Sequence, residues 1–428
     1  MRPTNLKVIN DELYLNNVSL TSLANQYKTP LYVFDEFELE EKMDEFKDYF
    51  CSEKFMTEIV YASKAFLVPE ICKMASKKGL MIDAVSLGDL YVINYSGFPL
   101  TRVVFHGNNK SDEELEYAVK NNVGIIVVDN LDELQRLNKV AKHYQKSINT
   151  LFRVNPGIDA HTHKYIQTAL FVSKFGESIY DEVLIDKIIK EYLESKYVKL
   201  LGFHSHIGSQ IKAFKPFLLN IEKMIDFSKN IEEKYQIKLP YLNLGGGFGI
   251  QYYEDDTSFD TPKLLNRMIK HLEKLSKEKN YHLEKVFVEP GRSIVGNAGI
   301  SLYTCGITKH TYGGKNYLFI DGGMTDNIRP ALYQAIYQCE VINKVTKKKE
   351  IVVDVAGKCC ESGDIIAKDV LLPQTKPGDI LVVYATGAYT YSMASSYNNH
   401  LKPKVLFIGD TIKEVSKEEP IEDLIKLF

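Results

Sequence analysis

Lys64 stands directly after an apolar run, in Tyr61-Ala-Ser-Lys64-Ala, a place where lysine is seldom found without a task. Such an amine suits a Schiff base with a carbonyl compound, and the structural alternative is a lysine snorkelling at a rim. The run Gly245-Gly246-Gly247-Phe248-Gly249 lets backbone N–H groups approach a phosphate, although a structural turn reads equally well. No Gly-Lys-Ser/Thr ending follows it, which argues against a nucleotide P-loop. A second glycine-bearing loop, Glu289-Pro-Gly291-Arg292-Ser293, strengthens the phosphate reading and adds an acid. An amine, a phosphate site and a carboxylate for a protonated ring nitrogen together meet the needs of pyridoxal phosphate, and Glu289 is the candidate carboxylate. His161, His163, His204 and His206 raise a zinc reading. No carboxylate ligand at suitable spacing completes such a set, so no metal is expected; His206 equally suits stacking on a planar ring.

These residues must be positioned by a scaffold, and the pattern of apolar runs describes one. Ile59–Ser63, Met81–Val85, Val103–His106, Ile125–Val128, Leu151–Val154, Leu200–Ser205, Tyr241–Leu244 and Val286–Glu289 read as strands. Between them lie stretches such as Val68–Lys78, Asp112–Lys120 and Leu131–Gln145, with apolar positions three and four apart. Ser111 or Asp112 ahead of Glu114 predicts a capped helix start. Eight runs, most followed by a helix pattern, predict a (β/α)8 TIM-type barrel of ~250 residues, against the competing doubly wound open sheet. A barrel builds its active site at the C-terminal strand ends, and the reactive types sit there. Lys64 follows the first run, Asp83 lies in the second and His106 ends the third. Arg153 closes the fifth, His204 to Ser209 the sixth, the glycine run the seventh and Glu289 the eighth.

After Arg292 the texture becomes β-rich. Ile300–Lys309, Tyr317–Asp321, Cys339–Asn343, Ile351–Ala356 and Ile380–Tyr384 are strand-like, and helical signal is confined to short stretches near Pro330 and the C-terminus. A second, β-rich domain of sandwich or barrel type is expected. Leu6–Leu20 also has strand and turn character around Asn16-Asn17.

The 428 residues carry a net charge of -3, with 45% hydrophobic and 25% charged residues. That balance is ordinary for a globular chain and predicts neither a nucleic-acid nor a membrane partner. Met1 to Leu15 lacks a signal-peptide pattern, and no window reaches the roughly 18 apolar residues that a membrane span needs. The six cysteines include no C-x-x-C pair, and Cys359 and Cys360 are adjacent, so reduced thiols in the cytoplasm are expected.

The motifs, taken in order, closely resemble the fold-type III pyridoxal phosphate enzymes, and within them the bacterial diaminopimelate decarboxylase family. The resemblance runs from Thr29-Pro-Leu-Tyr-Val-Phe-Asp35 to Tyr389–Asn398, through Tyr61–Phe66, His106–Lys110, Ala160–Tyr165, His204–Gln210, Asn243–Gly249 and Glu289–Gly296. It continues in Asp321–Met324, Ile328–Tyr333 and Cys360–Asp364. Small departures are Ala169, where many relatives carry glycine, and Lys402, where arginine is common.

The resemblance implies a barrel over residues 36–288 and a β-domain formed by 1–35 plus 289–428, in a homodimer whose sites are shared. It implies that Lys64 carries pyridoxal 5′-phosphate, that His206 stacks on the ring, and that Glu289 pairs with the ring nitrogen. Ser209, Gly247, Gly291 and Arg292 would hold the phosphate and ring; Arg292, Arg329 and Tyr333 would grip a substrate carboxylate. Tyr389 would touch both, and Cys360 and Glu361 would reach the other subunit's site, with Cys360 as proton donor. Read alone, Cys360 is a small buried hydrophobe, but a tunable thiol also suits protonation of a carbanion. Two arginines suit a second carboxylate, which favours meso-2,6-diaminopimelate, giving L-lysine and CO2. A related ornithine, lysine or D-amino acid decarboxylase and a non-catalytic pyridoxal phosphate carrier are the alternatives.

Overall fold

The computed structural model describes residues 2–159 and 173–427. His161 and His163, the Ala160–Tyr165 motif and Ala169 lie outside the described residues. The chain divides into two compact units: residues 43–249 with 259–291, and residues 1–42 with 250–258 and 292–428.

The first unit is a closed parallel barrel. Its strands are Met56–Tyr61, Met81–Ala84, Val103–Phe105, Ile125–Val128, Ile148–Asn155, Val198–His204, Tyr241–Asn243 and Lys285–Val288. Each pairs with its neighbour in parallel, and the eighth returns to the first with Lys285 opposite Met56. The short strand Glu177–Ser178 is appended to the fifth. The open-sheet alternative is thereby excluded. Val60, Met81, Val104, Ile125, Val127, Leu151 and Phe287 fill one cluster contributed by strands around the ring, each worth about 1.5–3 kcal/mol on burial. Such a filled centre leaves the strand ends as the place for polar groups.

Local sequence explains the intervening helices. Ser111 caps Asp112–Lys120 through a full capping box, its Oγ accepting from Glu114 N–H while Glu114 accepts from Ser111 N–H. Thr261–Glu278 starts from the Asp260 cap and buries Leu264, Leu265, Met268, Ile269, Leu272 and Leu275, a spacing that lines one helical face. The helices Leu87–Tyr95, Glu182–Glu194 and Phe214–Tyr235 cover further strands.

In the second unit, Leu31–Asp35 is a central strand buried along its whole length. It pairs antiparallel with Gly299–His310 and parallel with Lys404–Ile408. Asn316–Ile320, Ile351–Ala356 and Ile365–Leu372 extend that sheet, while Cys339–Val341 and Ile380–Val383 pair beside it. Leu6–Ile9, Glu12–Leu15 and Val18–Ser19 form a small antiparallel sheet, and its second turn places Asn16 and Asn17 at positive φ, which asparagine tolerates. Tyr252, Tyr303, Leu318, Tyr337, Val353 and Leu381 belong to one buried cluster, so Ile250–Ser258 is packed into this β-rich unit.

Candidate active site

In the barrel unit the site grows from the strand ends. Lys64 lies in a single turn of 3-10 helix, Ser63–Ala65, and its side chain is exposed while its neighbours are buried. The Ser63 N–H donates to Asp83 Oδ1 at 2.6 Å, tying the turn to the second strand. Burial raises the Asp83 pKa to about 6, although Lys64 and His106 work against it. The Ala62 N–H donates to the Pro290 carbonyl at 2.9 Å, and a Cβ on Gly291 would lie 2.8 Å from Ala62 Cβ. The loop that follows Glu289 is therefore clamped onto the backbone that carries Lys64.

Glu289 is buried and takes three side-chain hydrogen bonds. His106 Nε2 lies 2.8 Å and Asn243 Nδ2 2.7 Å from its Oε1, and His204 Nε2 lies 3.2 Å from Oε2. Burial alone would raise the carboxyl pKa, but His106 and His204 outweigh it and hold the group well below its ordinary range. Burial holds His204 neutral, its pKa pushed down to about 3 despite the facing carboxylate. The result is a fixed anion in a dry setting. His204 Nδ1 is buried without a partner, as expected when the ring proton sits on Nε2 facing Glu289.

The two glycine loops meet the loop after the sixth strand. The Gly246 N–H donates to His206 Nδ1 at 3.1 Å, which fixes the ring and leaves its proton on Nε2. Burial, then Lys64 and Arg153, hold His206 well below its ordinary pKa, so the ring is neutral. A Cβ on Gly246 would lie 2.0 Å from the Glu289 carbonyl oxygen, and one on Gly247 would lie 2.4 Å from that of Gly208. Gly247 has φ +101, so close approach and conformation both require glycine there. Among the described residues the Gly247 N–H meets no protein acceptor. Bare backbone, a free N–H, an accessible lysine and a buried anion fit the donor set that pyridoxal phosphate needs.

The sequence missed how these groups pair. His106, His204 and Glu289 present ligand atoms within 4.8 Å of one another, the carboxylate-bearing set that was not evident from spacing. The one hint was that His106, His204 and Glu289 each stand at a strand end, of the third, sixth and eighth apolar runs. A second hidden pair is Lys110 with Glu133, at 2.7 Å and almost wholly buried. Lys110 Nζ also donates to the Gly107 and Val127 carbonyls.

The remaining candidates lie in the β-rich unit. Arg292 and Arg329 are buried there, and both face the Tyr389 ring, at 4.8 Å and 5.7 Å. Arg329 also packs over Tyr333 at 5.0 Å. Arg292 Nη1 donates to the Tyr252 hydroxyl, and Arg329 Nε to the Tyr337 hydroxyl at 2.9 Å. Tyr252 and Tyr337 carried no motif signal. Burial works against the Arg329 charge, but Tyr337 and Tyr252 hold its pKa above the ordinary value. Tyr389 sits at φ +59, a strained value for a tyrosine that the surrounding structure must enforce.

Cys360 and Glu361 lie on an exposed loop. Asp364 organises it by accepting the Cys359 and Met324 N–H groups, at 2.8 Å and 2.6 Å, and Asn398 accepts the Cys360 N–H at 2.8 Å. Cys359 is buried, and burial followed by Asp364 raises its thiol pKa, so of the adjacent pair only Cys360 is accessible.

Comparison with known proteins agrees with this geometry. Residues 36–296 match the family model for the pyridoxal-dependent decarboxylase, pyridoxal binding domain. The chain is 42% identical to the diaminopimelate decarboxylase of Bacillus subtilis, over 97% of this chain and 94% of that protein. Among solved structures, diaminopimelate decarboxylase from M. jannaschii superposes with a TM-score of 0.92 at 33% identity, covering 99% of this chain and 97% of that one. The Helicobacter pylori diaminopimelate decarboxylase, solved with L-lysine, gives 0.85 at 30% identity, covering 95% and 98%. On fold, site and similarity together, the chain belongs to the diaminopimelate decarboxylase family of pyridoxal-dependent decarboxylases.

Proposed function

We propose that this chain converts meso-2,6-diaminopimelate to L-lysine and CO2, with pyridoxal 5′-phosphate held on Lys64. The observation that carries the reading is the buried Glu289 anion on a loop clamped to the backbone of the accessible Lys64. Bound there, pyridoxal phosphate supplies an electron sink for the pair left by the departing carboxylate. Glu289 holds a proton on the ring nitrogen, because a fixed anion in a dry site favours that charge. His206 lays its neutral ring against the cofactor, and Ser209, Gly247, Gly291 and Arg292 bind the phosphate and ring.

The substrate's other carboxylate goes to Arg292, Arg329 and Tyr333, with Tyr389 beside it. Guanidinium binds carboxylate through a planar fork, which a substrate with only one carboxylate at the reacting end would leave unfilled. Cys360 and Glu361, exposed on their loop, serve the site of a second copy in a homodimer. Cys360 delivers the proton to the carbon that lost CO2, and Glu361 binds the distal amine. The six cysteines are free thiols, which supports placing the protein in the cytoplasm.

Lys64→Ala tests the assignment. The variant should lose the visible absorption of bound cofactor and the release of CO2 together. Normal turnover with Lys64 gone would overturn the reading.

A further inference from the structure

Arg329 is 6% exposed and has no carboxylate within ion-pair range among the described residues. An uncompensated buried cation is costly, so the surroundings must be arranged for an anion that arrives. A guanidinium can offer a carboxylate either its Nε side or its Nη1/Nη2 end. In Arg329 the Nε donates to the Tyr337 hydroxyl at 2.9 Å, so the side-on fork is already taken. Its guanidinium carbon lies 5.0 Å from the centre of the Tyr333 ring and 5.7 Å from that of Tyr389. What is left is the terminal Nη1/Nη2 edge.

Tyr337 is itself held. It is 3% exposed and meets the Tyr252 ring edge-to-face, with centroids 5.4 Å apart. Tyr252 accepts the hydrogen bond of Arg292 and lies under that guanidinium at 5.7 Å. The Tyr252–Tyr337 pair thus joins two arginines in one rigid frame, from two separate stretches of chain.

We infer that Tyr337, braced by Tyr252, is a positioning residue that aims the terminal edge of Arg329 at the substrate's non-reacting carboxylate and so sets selectivity for a diacid. The inference rests on the proposed role of Arg329 and extends it to Tyr337 and Tyr252, the residues that hold the two guanidinium groups.

Tyr337→Phe keeps the ring and removes the hydroxyl. The test titrates the pyridoxal phosphate-loaded variant with L-lysine, which keeps the non-reacting carboxylate, and with 1,5-diaminopentane, which lacks it. L-lysine should bind roughly tenfold more weakly, the order expected for one hydrogen bond to a charged group. Binding of 1,5-diaminopentane should be unchanged, and KM for meso-diaminopimelate should rise with little change in kcat. Equal weakening of both ligands, or of neither, would overturn the inference and leave Tyr337 a packing residue. Tyr252→Phe should shift the two ligands in the same unequal way, so the frame is tested even if one variant folds poorly. Arg329→Leu separates the two levels. If it weakens L-lysine while both phenylalanine variants do not, the positioning role fails and the reading of Arg329 stands. If Arg329→Leu leaves L-lysine binding intact, the reading of Arg329 itself fails.

Discussion

Glu289→Gln keeps the shape of the central side chain and removes its charge. The amide oxygen can still accept from His106 and Asn243, which share one carboxylate oxygen, but its NH2 then faces His204 Nε2. His204 can answer by moving its ring proton to Nδ1, which has no partner. The cost to the fold is therefore about one charge-assisted hydrogen bond made neutral, on the order of 1–2 kcal/mol. The cost to the reaction is larger, because the ring-nitrogen proton loses its buried counter-charge. Loss of one partner from such a pair is worth about 3 kcal/mol, hence roughly 100-fold in kcat. The assay is steady-state kcat at saturating substrate and cofactor, with urea unfolding run in parallel. A kcat within about threefold of the parent, under ~1 kcal/mol, in a folded and loaded variant would refute the role given to Glu289.

Mild acid should stabilise the apoprotein. The folded chain keeps His204 and His206 neutral where the unfolded chain takes up protons, so this contribution is full above about pH 6.5 and is lost on acidification. Three buried carboxyls act oppositely: burial holds Asp83 at a folded pKa of about 6 and Glu38 and Asp326 at about 7, all above their ordinary values, so acid relieves their ionisation penalty. From about pH 7 to 5, His204 costs about 2 kcal/mol and His206 no more than that, whereas Asp83 returns about 1 kcal/mol and Glu38 and Asp326 about 2 kcal/mol each. Urea midpoints at the two pH values check this, and a lower midpoint at pH 5 would contradict it. Lys110→Met should cost about 3–5 kcal/mol, because it leaves Glu133 buried without its cation; an unchanged midpoint would show that the pair is dispensable. Mixing inactive Lys64→Ala and Cys360→Ala protomers should restore activity through heterodimers. No recovery, with subunit exchange demonstrated, would count against a site completed by a second copy.

The barrel was legible because its strands are short apolar runs, nearly every one ending in a polar or reactive type. Predicted Asp112–Lys120 is observed over those residues, and predicted Val68–Lys78 and Leu131–Gln145 are each trimmed by a residue or two at the ends. In the β-rich unit Ile351–Ala356 was equally plain, but Ile365–Leu372 was missed because Lys368 and Asp369 break its alternation. Pairings across the barrel were not legible. His106 and Glu289 are 183 positions apart, and only the closing of the barrel brings their strand ends together. Tyr252 and Tyr337 fall into no periodic pattern, and their role depends on which arginine atoms they meet. Arg329 and Tyr333 were picked out by the family motif, whereas the geometry of the fork belongs to the fold.

The most direct test of the whole account is L-lysine formation and CO2 release by the purified chain with meso-diaminopimelate, with and without pyridoxal phosphate. One L-lysine per CO2 is expected, in a reaction that depends on the cofactor. CO2 released from ornithine or lysine but not from meso-diaminopimelate would contradict the substrate assignment, and turnover indifferent to pyridoxal phosphate would contradict the mechanism.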